Sequence, residues 1–138
     1  MQSKVPGHPL PHPMTFEHFA LNVPDARAMA RWYIEHLGFR VARQRKEPPY
    51  THFLKDDSGR VIVELYTNPK APVPDYAAAD PLCFHLALVA MDARAVRQRL
   101  EEAGATFVLE DVFDGTVLVM LRDPWGVPLQ LCQRSQPL

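Results

Sequence analysis

Four polar side chains interrupt stretches of sequence that are otherwise apolar, and all four are of types that bind metal ions. They are His18 in HFALNV, Glu64 in VIVELY, His85 in FHLALV and Gln130 in PLQLCQ. Two imidazoles, one carboxylate and one amide oxygen form a suitable ligand set for a divalent transition metal. A buried carboxylate without a partner is also costly, and a bound cation offsets that cost. These residues are therefore candidate ligands of one metal ion.

The four candidates fall at matching positions of an internal repeat. Glu64 follows His18 by 46 residues, and Gln130 follows His85 by 45. Each histidine is also followed, seven residues later, by the tetrapeptide Asp-Ala-Arg-Ala. Taken alone, a strand histidine is more often a hydrogen-bonded core residue than a ligand, and Gln130 is most simply a polar edge residue. The repeated spacing favours a shared role for all four.

The hydrophobic pattern predicts a strand, a helix and three further strands in each copy of the repeat. Residues 18–23 alternate between polar and apolar side chains, which is typical of a half-buried strand. Asp25 is a suitable N-cap for the helix that follows, and Gly38 can end that helix. Asp92 and Gly104 take the same roles in the second copy. The predicted strands are 16–23, 39–45, 50–55 and 60–67 in the first copy, and 82–90, 105–110, 116–122 and 127–133 in the second.

This order predicts an α+β fold with two tandem modules, residues 14–67 (the first module) and 82–134 (the second module). A proline-rich linker at 68–81 joins them, a proline-rich arm at 1–13 is expected to be extended or disordered, and 135–138 form a tail. One copy cannot cover its own sheet, so two copies that bury a shared interior are the physical solution. Alternation places the four candidate ligands on the strand faces opposite the apolar ones. Those faces would line a cavity.

Composition excludes several classes of function. The chain has 138 residues, is 47% hydrophobic and has a formal net charge of −1. It therefore lacks the electrostatic footprint of a nucleic-acid-binding protein and the basic patch of a membrane-surface protein. No apolar run approaches the roughly 20 residues of a membrane span, and the arm lacks the apolar core of a secretory signal. Cys83 and Cys132 do not make a disulfide framework. We expect a cytoplasmic protein.

Residues 14–134 resemble the vicinal oxygen chelate superfamily, which is also called the glyoxalase/bleomycin resistance protein/dioxygenase superfamily. The resemblance rests on FEHFALNVPD, HLGF, VIVELY, CFHLALVAMD and DPWGVPLQL, and the glyoxalase I-like members have the most similar pattern. It implies paired βαβββ modules with mixed sheets that curl into a cup around one divalent metal ion, Ni, Co, Zn, Mn or Fe. It also implies that His18, Glu64, His85 and Gln130 bind that metal. A homodimer is expected, because the superfamily often builds its cups between two chains.

The implied chemistry is proton transfer next to a carbonyl of a small substrate or thiol conjugate. A divalent ion polarises substrate oxygens and stabilises the enediolate that forms when the proton leaves. Glu64 is the candidate catalytic base, acting as a ligand at rest and as a base when substrate displaces it. The activity would be that of a lactoylglutathione lyase-like lyase or an epimerase-like isomerase.

Two other functions are open. A metal-free binding protein of the bleomycin-resistance type would sequester a small molecule in the cup, with the four polar residues as hydrogen-bonded remnants. An extradiol-dioxygenase-like oxidoreductase is disfavoured, because such enzymes need a carboxylate where the neutral Gln130 stands. The candidate substrate-binding residues are His52, Tyr66 and Trp125.

Overall fold

A computed structural model describes residues 9–138 of the chain. The first part of the predicted arm, residues 1–8, lies outside the described residues. Residues 9–17 contain no helix or strand. No helix within the described range is long and apolar enough to cross a bilayer.

The two predicted modules are present, and each consists of one strand, one helix and three further strands. The first module contains β1 (Phe19–Asn22), α1 (Ala26–Leu37), β2 (Arg40–Gln44), β3 (His52–Lys55) and β4 (Val61–Tyr66). The second module contains β5 (Leu86–Val89), α2 (Ala93–Glu102), β6 (Thr106–Phe113), β7 (Thr116–Arg122) and β8 (Pro128–Gln133). The predicted α+β fold of two βαβββ modules is confirmed.

Each module has its own four-stranded mixed sheet. The strand order is β1-β4-β3-β2 in the first sheet and β5-β8-β7-β6 in the second. The first strand of each module pairs in parallel with its last strand, and the other neighbours are antiparallel. The strands β1 and β5 are therefore edge strands in a single chain, with one side of each backbone unpaired within its sheet.

The helices begin where the sequence predicts. The carboxylates of Asp25 and Asp92 each accept a hydrogen bond from the backbone N–H three residues later, at 3.1 Å. Gly38 caps α1 with a φ of +74°, a left-handed conformation that glycine adopts without strain. The second helix is capped one residue earlier than predicted, by Ala103, and the positive φ falls on Gly104 behind it.

Two strands of the second module have different ends from those predicted. The strand β5 starts at Leu86 rather than at residue 82, because Asp80 organises a turn: its side chain accepts from the backbone N–H of Leu82 and its carbonyl from that of Cys83. The strand β6 runs three residues beyond its predicted end. A tight turn in which Asp114 and Gly115 both have positive φ closes a hairpin that extends its pairing with β7.

The modules pack against each other through the sides that carry their helices. Trp32 of α1 donates a hydrogen bond from Nε1 to the carbonyl of Ala103 at 2.9 Å, and its ring meets the ring of Trp125 edge-on. The Tyr33 hydroxyl donates to the Asp123 carboxylate at 2.7 Å. Because the helix sides of both sheets contribute to one buried core, the opposite faces of the two sheets are directed away from that core. We call these opposite faces the concave faces.

The linker is fixed to both modules. The Tyr76 hydroxyl donates to the carbonyl of Asn22 at 2.6 Å. The Arg122 guanidinium donates to the carbonyl of Tyr76 at 3.0 Å and to that of Ala79 at 2.8 Å. Residues Tyr76–Ala78 form a short 3-10 helix between these contacts. The linker therefore has a defined path.

Candidate functional site

The first pair of predicted ligands lies together on the concave face of the first sheet. Ala20 is opposite Glu64 in the parallel pairing of β1 with β4, and His18 lies two residues before Ala20. The Nε2 atom of His18 is 3.2 Å from Oε1 of Glu64. The side chains retain 27% and 18% of their full exposure, so the pair is half-buried but can be reached from outside. We call this pair the first half-site.

Two neighbours fix the ring of His18. Its Nδ1 atom lies 2.8 Å from Oε1 of Glu17. The Phe53 ring meets the imidazole edge-on at a centroid distance of 5.3 Å. A carboxylate at one ring nitrogen orients a histidine so that the other nitrogen faces its ligand, as is common around protein metal ions. Glu17 thus directs Nε2 of His18 toward Glu64.

The second pair occupies the equivalent place in the second sheet. Ala87 is opposite Gln130 in the parallel pairing of β5 with β8, and His85 lies two residues before Ala87. The Nδ1 atom of His85 is 2.8 Å from the carbonyl oxygen of Pro81, which requires Nδ1 to be the donor and leaves the Nε2 lone pair free. The Oε1 atom of Gln130 accepts from the Cys132 thiol at 3.4 Å. We call His85 and Gln130 the second half-site.

The donor atoms of the first half-site suit a divalent metal ion. Two ligands that each lie about 2.1 Å from a common ion are about 3.0 Å apart at a right angle and about 3.4 Å apart at a tetrahedral angle. The observed 3.2 Å between His18 and Glu64 lies between these values. In both half-sites an oxygen atom engages Nδ1 of the histidine, which leaves Nε2 as the ligand atom. The residues fit the metal that the sequence predicts.

A single chain does not bring the two half-sites together. Within residues 9–138, no group of three or more histidine, cysteine, aspartate or glutamate side chains could hold a metal ion. The contacts between the modules are made by Trp32 and Tyr33 of α1 with Ala103, Asp123 and Trp125, none of which belongs to either half-site. The predicted four-ligand cluster is present as two separate pairs.

The three candidate substrate-binding residues lie in different surroundings. His52 is opposite the fully buried Leu65, is itself 8% exposed, and its Nδ1 lies 2.6 Å from the carbonyl oxygen of Tyr50. It is therefore on the helix side of the sheet. Trp125 packs against Trp32 between the modules. Only Tyr66, two residues beyond Glu64 on the same strand, shares the concave face.

A buried carboxylate that the sequence pattern did not reveal lies between the modules. Asp123 is 3% exposed and accepts hydrogen bonds from the Tyr33 hydroxyl and from the backbone N–H groups of Trp125 and Val127. Burial raises the pKa of Asp123 to about 6, against the opposing effect of these hydrogen bonds. Burial, with the neighbouring Asp123 charge, raises the pKa of Tyr33 well above its usual value. The stretch DPWGVPLQL is part of the family resemblance in the sequence, but nothing in the pattern indicated that Asp123 pairs with Tyr33.

Fold and site together define a protein of two βαβββ modules, each with a histidine before its first strand and a carboxylate or amide on its last. A family model of the Glyoxalase/Bleomycin resistance protein/Dioxygenase superfamily matches residues 15–131. The chain belongs to this superfamily.

Several solved structures share the fold. A glyoxalase family protein from Enterococcus faecalis is 28% identical, with a TM-score of 0.63 over 86% of this chain and 96% of that chain. TnmS3, an antibiotic binding protein from Streptomyces sp. CB03234, is 21% identical, with a TM-score of 0.67 over 88% of this chain and 97% of that chain. A glyoxalase I mutant from Zea mays is 23% identical, with a TM-score of 0.67 over 86% of this chain and 44% of that chain. No curated protein sequence matches the chain significantly.

Proposed function

We propose that this protein is a metal-dependent lyase or isomerase of the glyoxalase type, and that its active site forms between two copies of the chain. The first half-site of one copy would meet the second half-site of the other. The observation that carries the proposal is the first half-site itself, where Nε2 of His18 and Oε1 of Glu64 are spaced as two ligands of one ion. The second half-site repeats the orientation of the histidine, with Nδ1 engaged and Nε2 free.

Exposed apolar side chains on edge strands of the two sheets support a homodimer. Phe19 on the edge strand β1 is 44% exposed, and Val112 and Phe113 on β6, an edge strand of the second sheet, are 58% and 49% exposed. Large apolar side chains that are exposed on edge strands support an interaction surface there. A second copy, related by a twofold axis, would cover the same surface on both chains and form two equivalent sites.

Each residue of the proposed site has a distinct role. His18, His85, Gln130 and Glu64 would hold the metal. When bound, a divalent ion supplies an electrophile that polarises substrate oxygens and stabilises developing negative charge. Glu64 accepts the proton from the carbon next to the substrate carbonyl at its Oε atoms. Gln130 is a neutral amide and cannot take that proton. Glu64 is the only carboxylate among the four, and we therefore assign it as the base.

Metal content tests this proposal. We expect the purified protein to bind one Ni, Co, Zn or Mn ion per chain, and His18→Ala and His85→Ala each to weaken binding at least ten-fold. His12→Ala is the matched control, because His12 lies exposed in the arm outside both modules. A wild-type protein that neither contains metal nor takes it up on addition would contradict the proposal, as would His18→Ala with unchanged affinity.

A metal-free small-molecule binder is the second candidate. It is favoured by a cavity of about 440 Å³ along the edge strand β5 and the end of β8, whose lining is mainly apolar. In that case the protein would bind its ligand equally well with and without a chelator. The metal titration and a ligand titration in the presence of EDTA therefore distinguish the two functions.

A further inference from the structure

We infer that the cavity on the second sheet binds an apolar group that ends in a carboxylate, and that Arg134 recognises this carboxylate. The inference deepens the proposed function, because the cavity adjoins the second half-site and would receive part of its substrate. The cavity has a volume of about 440 Å³, within the range of small-molecule sites. Its lining residues run along β5 and β8 and include the end of the chain.

The cavity begins beside the second half-site, although neither His85 nor Gln130 lines it. Ala87 and Cys132 line it, and both lie on the strand face that carries Gln130. The Cys132 thiol donates a hydrogen bond to Oε1 of Gln130 at 3.4 Å. A molecule held at Gln130 could therefore extend into the cavity without leaving the concave face.

The walls of the cavity are apolar and open to solvent. Val89 and Met91, which are almost fully exposed, form one wall, and Pro137 and Leu138 near the chain terminus form another. Covering such side chains with an apolar ligand removes their surface from water and favours binding. The walls thus select a hydrocarbon or aromatic group.

Arg134 is the cationic residue of the lining, and it is not neutralised within residues 9–138. The arginine ion pairs in that range involve Arg94 with Glu110 and Arg97 with Glu101, both on the helix side of the second module. The guanidinium of Arg134 therefore retains an uncompensated charge.

A carboxylate is the anion that best matches this arrangement. A guanidinium offers a planar fork of donors to the two oxygens of a carboxylate. A single negative charge would neutralise Arg134, whereas a doubly charged phosphate would leave an excess charge among apolar walls, which is costly.

The equivalent place in the first module is filled by the chain itself. Asn22 and Tyr66 pair there as Val89 and Cys132 do in the second module. Asn22 donates from Nδ2 to the carbonyls of Asn68 and Ala71, both at 3.0 Å, and so holds the linker against β1. Asn68 lies four residues after Glu64, as Arg134 lies four after Gln130. In the first module the linker, bound by the Asn22 amide, therefore occupies the place that the open cavity with Arg134 has in the second module.

Binding of simple amphiphiles tests the inference. Metal-free protein, prepared with EDTA, is titrated with octanoate, octylamine and 1-octanol, and amide chemical shifts are followed by NMR. We expect octanoate to bind at least ten-fold more tightly than octylamine and to shift the amides of Val89, Cys132 and Arg134. Arg134→Met should weaken octanoate binding at least ten-fold and leave 1-octanol binding unchanged. Arg134→Lys, which keeps the charge but loses the planar fork of donors, should bind octanoate more tightly than Arg134→Met and more weakly than the wild type.

Matched variants separate this inference from the proposed metal site. Arg31→Met, at an exposed position of α1, should bind octanoate like the wild type. The titration is made on metal-free protein, so failure of the proposed metal site leaves its result intact. Equal affinity for octanoate and octylamine, unchanged octanoate binding in Arg134→Met, or shifts that avoid the cavity would overturn the inference. The comparison of octanoate with octylamine and the location of the shifted amides are both measured on wild-type protein, so the test does not depend on a variant that folds.

Discussion

The buried carboxylate between the modules makes the stability of the protein depend on pH in an unusual direction. Burial raises the pKa of Asp123 from 3.8 to about 6 in the folded protein. The folded state therefore binds this proton more tightly than the unfolded state does. The contribution of Asp123 to the free energy of unfolding is fully favourable below about pH 4, and it falls as the pH rises from about 4 to about 6.

The magnitude follows from the two pKa values. Their difference, at about 1.4 kcal/mol per pH unit, corresponds to about 3 kcal/mol between the protonated and ionised forms. Asp123→Asn keeps the shape of the side chain and removes its ionisation. About 0.5 kcal/mol of this is already lost at pH 4, so we expect the stability of Asp123→Asn, relative to the wild type, to increase by about 2.5 kcal/mol between pH 4 and pH 7.5.

Urea unfolding of both proteins across this range of pH measures the difference. Tyr33→Phe is the companion variant: it removes the hydrogen bond that favours ionised Asp123, so we expect it to cost about 1.5–3 kcal/mol at pH 7.5 and less at pH 4. Tyr50→Phe, at a half-buried tyrosine whose hydroxyl is not among the hydrogen-bond partners of Asp123, should change stability little at either pH. A difference between Asp123→Asn and wild type that stays constant from pH 4 to pH 7.5, or that changes in the opposite direction, would refute the reasoning.

Three further outcomes are expected. Gly126→Ala should destabilise the protein by about 1–2 kcal/mol, because Gly126 has a φ of +91° and the new Cβ would lie 2.7 Å from the backbone nitrogen of Ala77. The same clash should make the linker more sensitive to limited proteolysis. An unchanged digestion pattern would contradict the linker contacts. Glu17→Gln should weaken metal binding about ten-fold in a metal titration while the fold is retained, since it loosens the orientation of His18. Glu64→Gln should abolish turnover with an unchanged circular dichroism spectrum, and full activity would reject Glu64 as the base.

Sequence pattern predicted most of the fold because the signals are local. Asp25 and Asp92 cap the helices in the structure as their positions before apolar helical segments indicate. The repeat of spacing corresponds to equivalent registers in the two sheets, since Glu64 and Gln130 lie opposite Ala20 and Ala87. Strand ends were harder to predict: the turn at Asp80 depends on side-chain hydrogen bonds that compete with the strand.

The relation between the half-sites could not be predicted from the pattern. Alternation shows which side chains share a face, but it does not show whether the same chain or a second copy covers that face. Within the chain, the contacts of Trp32 and Tyr33 with Ala103 and Asp123 determine how the two modules pack against each other. Such long-range contacts leave no periodic signal. The inward orientation of His52 depended likewise on strand register, which its mid-strand position alone did not reveal.

A mixed dimer tests most directly whether the site is shared between two chains. His18→Ala and His85→Ala chains with different affinity tags are co-expressed, and the heterodimer is isolated by two successive affinity steps. If each site combines the first half-site of one chain with the second half-site of the other, one site loses both histidines and the other keeps both. We therefore predict that the heterodimer binds one metal ion with wild-type affinity, whereas neither mutant homodimer does so. A heterodimer without a wild-type site, or a wild-type protein that binds metal tightly as a monomer, would contradict the account.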